Sequence, residues 1–497
     1  MRYSTQLVIL CSACVALGAV SIKAAEKAAQ NKPGPELKVI NLSVYPAPIP
    51  RPAMKYHLLP RIAEQTPGNA ALLYDTIFLQ IAYEDGVKDG QSKDLKDEKE
   101  KEKFDTTADK LSKWLTTPLA ELPQDEIRKI LNDVDPWIIE YAEMASHRMQ
   151  CNWALPICEM NIPFDMRLPE LNRARSLARI LAMKARLALA EGKPEEALKT
   201  LQIGFALSRQ LGNGNVTIIN VLVGNAIANM MRDQLLDLTQ LKDSPNLYWS
   251  ITNLPHPFIV YRDAVGVEAS AFNRYFSELQ EARTAQHSPE EWQKLLVETV
   301  YKINSAMALF SDTDQKKATS EKVDVKKILD ENYPIARDYL IKLGWPEKEI
   351  SSMAPARVVL LYGAEIWDEM FDDGTKWLSV NYSQWPSNLR EHYDDLLKKY
   401  RQIPLSNFLP AIGAVARTQA RTEREFEILR CIEAIRFYAY SHNGKLPGSL
   451  DEIKEVPISP NPMTGKPFSY HLEGDTAVLL ADGDQSKNFE YHIKIAK

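Results

Sequence analysis

From Gly68 to about His442 the apolar residues of this chain return, with breaks, at helical spacing, and beyond Pro467 they alternate with polar neighbours. That change of period decides most of what the polypeptide can fold into: a long helical body closed by a short sheet. The helical pattern opens at GNAALLYDTIFLQIAY. Its last segment, Thr422 to His442, carries Ile428, Ile432, Ile435 and Ala439 as a stripe broadened by Phe426, Phe437 and Tyr438. Asn443-Gly444 then supplies an exit, because glycine accepts the left-handed conformation in which helices often end. After PISPNPMTGKP, apolar positions recur every second residue. They are Phe468, Tyr470 and Leu472, then Val478 and Leu480, then Phe489, Tyr491, Ile493 and Ile495. The expected fold is mainly α, an irregular helical-hairpin body with a small C-terminal helix plus a three-stranded antiparallel meander. Three strands are marginal alone, so the preceding helix must cover their apolar face. The turn-rich HNGKLPGSLDEIKEVPISPNPMTGKPFSY is then a hinge that directs the chain onto that helix.

The flanking segments divide the chain further. Residues 1–23 carry Arg2, an apolar run from Leu7 to about Ile22 and then small residues, the pattern of a secretory signal and too short for a spanning helix. Ser12-Ala13-Cys14 leaves a lipoprotein site at Cys14 as the other reading. Residues 24–60 form a proline-rich arm, with Pro46, Pro48, Pro50 and Pro52 at every second position. That spacing excludes helix and ladder bonds and favours an extended strap, which Tyr45, Met54, Tyr56 and Leu58 equip for docking on its own domain. Residues 61–420 are the helical body, interrupted near 84–105 by a charged stretch that forms a solvated loop or an exposed helix extension. Residues 421–497 are the closing helix and meander.

Within the body, LNRARSLARILAMKARLALAEGKPEEALKTLQIGFALSRQLGNG reads as a helical hairpin. Gly192 ends the first helix, and Pro194 opens the second with Glu195 and Glu196 near its N-terminus. Ala174, Leu177, Ala178, Leu181, Ala185 and Ala188 share one face and Ile180, Met183 and Leu187 another, so the first helix is sandwiched between layers. Between those faces run Arg175, Arg179 and Arg186, with no acidic residue from Leu171 to Ala190. They are the candidate binding residues: either acids from a neighbouring helix neutralise them, or they form an anion-binding groove.

The chemistry-bearing residues are sparse. CNWALPIC allows a Cys151–Cys158 disulfide in an oxidising compartment, or buried thiols with Cys431 as a third. No second ligand pair accompanies His147 and Cys151, so no metal is expected, and no cofactor motif occurs. DGDQSKNFE spaces Asp482, Asp484, Ser486 and Asn488 like a calcium loop, but Lys487 and Ile493 stand where such a loop has its glycine and closing glutamate. Trp249, Trp345, Trp377 and Trp385 lie near turns and either line a groove or fill the core. A formal charge of −6 over 497 residues gives no electrostatic case for nucleic acid or an anionic membrane.

The AEGKPEEAL turn and its small-residue positions resemble a tetratricopeptide-type repeat, without a second copy at fixed period. The closing helix and meander with PNPMTGKPFSY resemble the C-terminal part of type II secretion pseudopilins. The blocks RPAMKYHLLP, TPGNAALLY, CNWALPI, SPNLYWSITNLP, MAPARVVLLYGAEIWDE and LPGSLDEI resemble a family of uncharacterised secreted proteins of planctomycete-type bacteria. That resemblance implies export and a helical body, with no activity attached. The expected function is a secreted, non-catalytic scaffold or binding protein of the bacterial envelope, its partner a protein or polymer. A secreted hydrolase acting on glycans and an accessory of a pseudopilus-like export system are the alternatives.

Overall fold

The computed structural model describes residues 36–94, 106–160, 166, 168–309, 323–391, 393, 400, 404–409, 412–484 and 487–496. The expected signal segment 1–23, Cys14, the start of the arm and the charged stretch 95–105 lie outside the described residues. Helices α1 (Ala70–Asp94), α2 (Thr106–Trp114), α3 (Gln124–Asn132) and α4 (Pro136–Ser146) lead to α5 (Pro169–Ala190), α6 (Pro194–Gly212) and α7 (Ile218–Thr239). The chain continues through α8 (Tyr248–Thr252), α9 (Tyr261–Tyr275), α10 (Ser277–Thr284), α11 (Pro289–Leu309) and α12 (Val325–Leu343). Next come α13 (Glu347–Ser352), α14 (Pro355–Thr375), α15 (Ser387–Glu391) and α16 (Ile412–Ser441). The fold is mainly α, and α1 continues to Asp94, so the helix-extension reading holds for the first part of the charged stretch.

The hairpin forms where the sequence places it. Gly192 takes a φ of 72°, and the Lys193 N–H reaches back to the Ala188 carbonyl at 2.8 Å, closing α5. Pro194 is the first residue of α6, where its missing N–H costs nothing. All six residues of the first α5 face are buried, while Met183 on the second face joins Leu111, Trp114, Leu122 and Ile127 in a small separate core. Each fully buried leucine contributes roughly 1.5–3 kcal/mol, so α5 owes its place to layers on both sides.

The strands are β1 (Glu36–Val44), the short parallel pair β2 (Thr66–Asn69) and β3 (Arg148–Gln150), and β4 (Ser469–Glu473), β5 (Thr476–Ala481) and β6 (Lys487–Ile495). The three C-terminal strands form the expected antiparallel meander. A fourth joins it: β1 pairs in parallel with β6, giving the order β1-β6-β5-β4. The proline spacing of the arm was expected to exclude ladder bonds, yet no proline falls within β1: Pro33 and Pro35 precede it, and Pro46 comes two residues after its end. Upstream, Ile40, Leu42 and Val44 alternate inward and carry no such restriction. A second correction concerns phase. Ala477, Leu479 and Ala481, not Val478 and Leu480, share the core face with Tyr491 and Ile493. TAVLLA is apolar at nearly every position, so alternation alone could not set its phase.

Beyond β1 the arm lies across the body. Tyr45 and Ala47 donate backbone N–H groups to the carbonyls of Thr239 and Arg436, at 3.2 Å each. Tyr56 and Lys55 meet Glu195, and Leu58 is buried. Helix α16 ends as expected, with Asn443 and Gly444 at positive φ and the Gly444 N–H on the Ala439 carbonyl at 2.8 Å. A second large core, from Phe272 to Leu409, sits around α14 and combines aliphatic side chains with a group of aromatic rings, including Phe272 stacked on Trp367.

Candidate binding site

The structure separates the three arginines expected to act together. Arg186 is 2% exposed and bonded to the Gln234 side chain at 2.8 Å, to the Asp237 carboxylate and to the Thr117 carbonyl. It ties α5 to α7 and to the segment after α2, so the anion-groove reading fails for this residue. Burial pushes the Asp237 carboxyl above its usual range even though Arg186 pulls it down. Arg175 and Arg179 are half-buried. Arg175 reaches only Asn172, at 3.5 Å, and Arg179 makes no ion pair among the described residues.

The second apolar face of α5 leads to a better candidate. Ile180, Lys184, Leu187 and Ala188 form one wall of a concavity of about 210 Å³, closed by Leu131, Asn132 and Val134 at the end of α3, Ile139 of α4, and Thr200 of α6. Helical spacing explains the wall, since these α5 residues return at intervals of three and four. Arg128, Glu191 and Glu196 complete the rim. Arg128 bridges Asp125 at 2.6 Å and Glu191 at 2.8 Å, and Lys193 meets the other Glu191 oxygen at 2.8 Å. Lys184 and Glu196 are exposed, and neither side chain has a hydrogen bond or ion pair among the described residues. The result is a recess of mixed polar and apolar lining in which Lys184 has no ion pair and Glu196 feels the Lys193 charge. Its volume lies below the 300–1,000 Å³ typical of small-molecule sites and suits one or two side chains of a larger partner.

The other charged clusters are used inside the molecule. Arg436, on α16, is fully buried and spends five donors on Tyr45, Pro245, the carbonyl and hydroxyl of Ser244, and Glu433. Glu425 accepts from Arg232 at 3.2 Å, Tyr491 at 3.0 Å and Arg424 at 2.8 Å, so one carboxylate links α7, β6 and α16. In the DGDQSKN loop, Asp484 pairs with Arg421 and Asp482 accepts from Asn461. Those acids anchor a polar hairpin. No group of three or more metal-ligating side chains occurs among the described residues.

Cys151 is a free, half-buried thiol that burial pushes up to about 12, and the side chain of Cys158 lies outside the described residues. Cys431 is buried and likewise raised to about 12. Trp385 is 2% exposed, and Trp249, Trp345 and Trp377 pack on the two large cores. Sequence reading did not single out Asp75 of α1 and Glu170 of α5. Burial raises both carboxyls, the Asp75 charge adds to the rise at Glu170, and one Glu170 oxygen is buried without a hydrogen bond. Nothing in the sequence brings positions so far apart together. No helix among the described residues is long and apolar enough to cross a membrane. No family model, curated protein or solved structure matches the chain.

Proposed function

We propose that the protein is a secreted, non-catalytic scaffold of the bacterial envelope that holds a protein or polymer partner at the concavity between α3, α4 and the α5–α6 hairpin. The observation that carries this reading is the contrast in charge use: the buried arginines are neutralised internally, whereas exposed Lys184 has no ion pair and stands beside the apolar side chains of Ile139, Ile180 and Leu187. An apolar centre with a charged rim is the anatomy of a recognition patch. The N-terminal apolar run supports export. The test is capture from envelope extract by the purified protein, compared with Ile180→Asp and Lys184→Glu variants. Loss of one captured species in both variants, with unfolding unchanged, supports the reading. Undiminished capture contradicts it.

A second reading rests on Asp75 and Glu170: glycan hydrolysis needs one carboxyl that keeps its proton beside one that stays ionised, and half-buried Glu170, raised by burial and by the Asp75 charge, fits the first role while exposed Asp75 fits the second. Turnover of envelope glycan by the protein, abolished in Glu170→Gln, would replace the scaffold reading with this one.

A further inference from the structure

We propose that the protein self-associates through β1, two copies pairing antiparallel across a two-fold axis centred on Val39. β1 is one edge of the four-stranded sheet. The Val44 carbonyl accepts from Ala496, the residue after β6, whereas the Ser43 and Tyr45 N–H groups face away, to the Gln240 side chain and the Thr239 carbonyl. Backbone direction alternates along a strand, so Leu37, Val39 and Asn41 also present their N–H and carbonyl groups to the open side. None of the three has a hydrogen-bond partner there among the described residues. Leu37 and Val39 are 51% and 48% exposed, an apolar pair on an open edge of the kind that soluble proteins normally charge or cover. The opposite edge, β4, exposes Leu472 between the polar residues His471 and Glu473.

The occupant follows from which groups are free. Upstream, Pro35 has no N–H to donate, and downstream Ser43 is capped, so the open positions are 37, 39 and 41. That set is its own complement: turned through a two-fold at Val39, Val39 meets Val39 and Leu37 meets Asn41, while Lys38 faces Ile40. A two-fold at Lys38 would oppose like charges and leave Asn41 unused. Isologous pairing closes at two copies and merges two sheets into one. A few strand residues bury far less than the roughly 800 Å² per partner of a stable interface, so the dimer forms as concentration rises.

Sedimentation velocity on the purified protein, from low to high micromolar concentration, reads the association directly. The expected result is a monomer–dimer equilibrium that Val39→Pro abolishes, because that proline removes an open-side donor and leaves the β6 ladder intact. Leu37→Lys weakens it by about tenfold or more, the usual scale of a lost apolar contact. Under oxidation Val39→Cys cross-links to its own copy, since directly paired strand residues lie about 5.5 Å apart, within disulfide reach. Lys38→Cys does not. A protein that stays monomeric throughout, a dimer indifferent to both Val39→Pro and Leu37→Lys, or cross-linking through Lys38→Cys instead of Val39→Cys overturns the proposal.

Discussion

Two cores of similar architecture are held together by different means. The first, around α5, α6, α7, α16 and the sheet, contains fully buried arginines and glutamates. The second, around α14, has one buried acid among its described residues, Glu278 paired with Lys302, and relies otherwise on contacts among Phe272, Phe276, Trp367 and Phe408, with Arg283 meeting Glu365 and Asp368 nearer the surface. The difference follows sequence distance. Residues 272–409 pack largely on each other, whereas the first core must bring β1, α7, α16 and β6 together from both ends of the chain. Apolar contact is non-directional and would tolerate several arrangements, while a guanidinium with five fixed donors accepts one. The buried charges therefore specify an assembly more than they stabilise it. Burial raises the Glu433 carboxyl despite Arg436 at 2.8 Å, which says that desolvation outweighs the pairing.

The sharpest way to break the contrast is to remove one partner in each core. Arg436→Ala strands Glu433 without its counter-charge and removes the donors to the carbonyls of Tyr45, Ser244 and Pro245, and the expected loss is about 3–5 kcal/mol in urea unfolding. Arg283→Ala, which frees only partly exposed acids, is expected to cost under about 1 kcal/mol. In the second core the large effect moves to the rings: Phe276→Ala should cost about 3–5 kcal/mol through the cavity it leaves. Equal losses for Arg436→Ala and Arg283→Ala would remove the distinction.

A pH series sharpens it further. Glu268 of α9 accepts the Ile218 N–H at the start of α7 at 3.0 Å, and burial pushes its carboxyl up to about 7. The folded state then holds a proton that the unfolded chain releases near 4.5, so stability falls as pH rises from about 4.5 to 7, by at most roughly 3 kcal/mol. Glu268→Gln should flatten that slope. His256 acts with the opposite residue type and a smaller effect. Its hydrogen bond to Glu423 at 3.0 Å raises it above 6.5, so its contribution is complete below 6.5 and fades as pH climbs through the folded value. His256→Gln should lose only that alkaline-side decline.

Periodicity made the helical body, the α5–α6 hairpin, the exit at Asn443-Gly444 and the meander legible, because each is written in neighbouring residues. β1 was hidden by the prolines that follow it, and the phase of β5 by its lack of polar positions. The fate of Arg186 was beyond reach for another reason: its partners Asp237 and Thr117 lie 51 and 69 positions away, and only packing decides which acid meets which base. The concavity was half visible, since Ile180 and Leu187 were recognised as a second face, but nothing in the sequence says that α3 and α4 leave part of it uncovered.

The account turns on the claim that the two ends of the chain form one cooperative unit through α16. Native-state hydrogen exchange of β1, β6 and α16 measures this most directly. Slow amides of all three should open together, with one shared free energy that drops in concert in Arg436→Ala. Exchange of β1 at a much lower free energy than α16 and β6, unaffected by that substitution, would show an arm that merely rests on a body already complete without it.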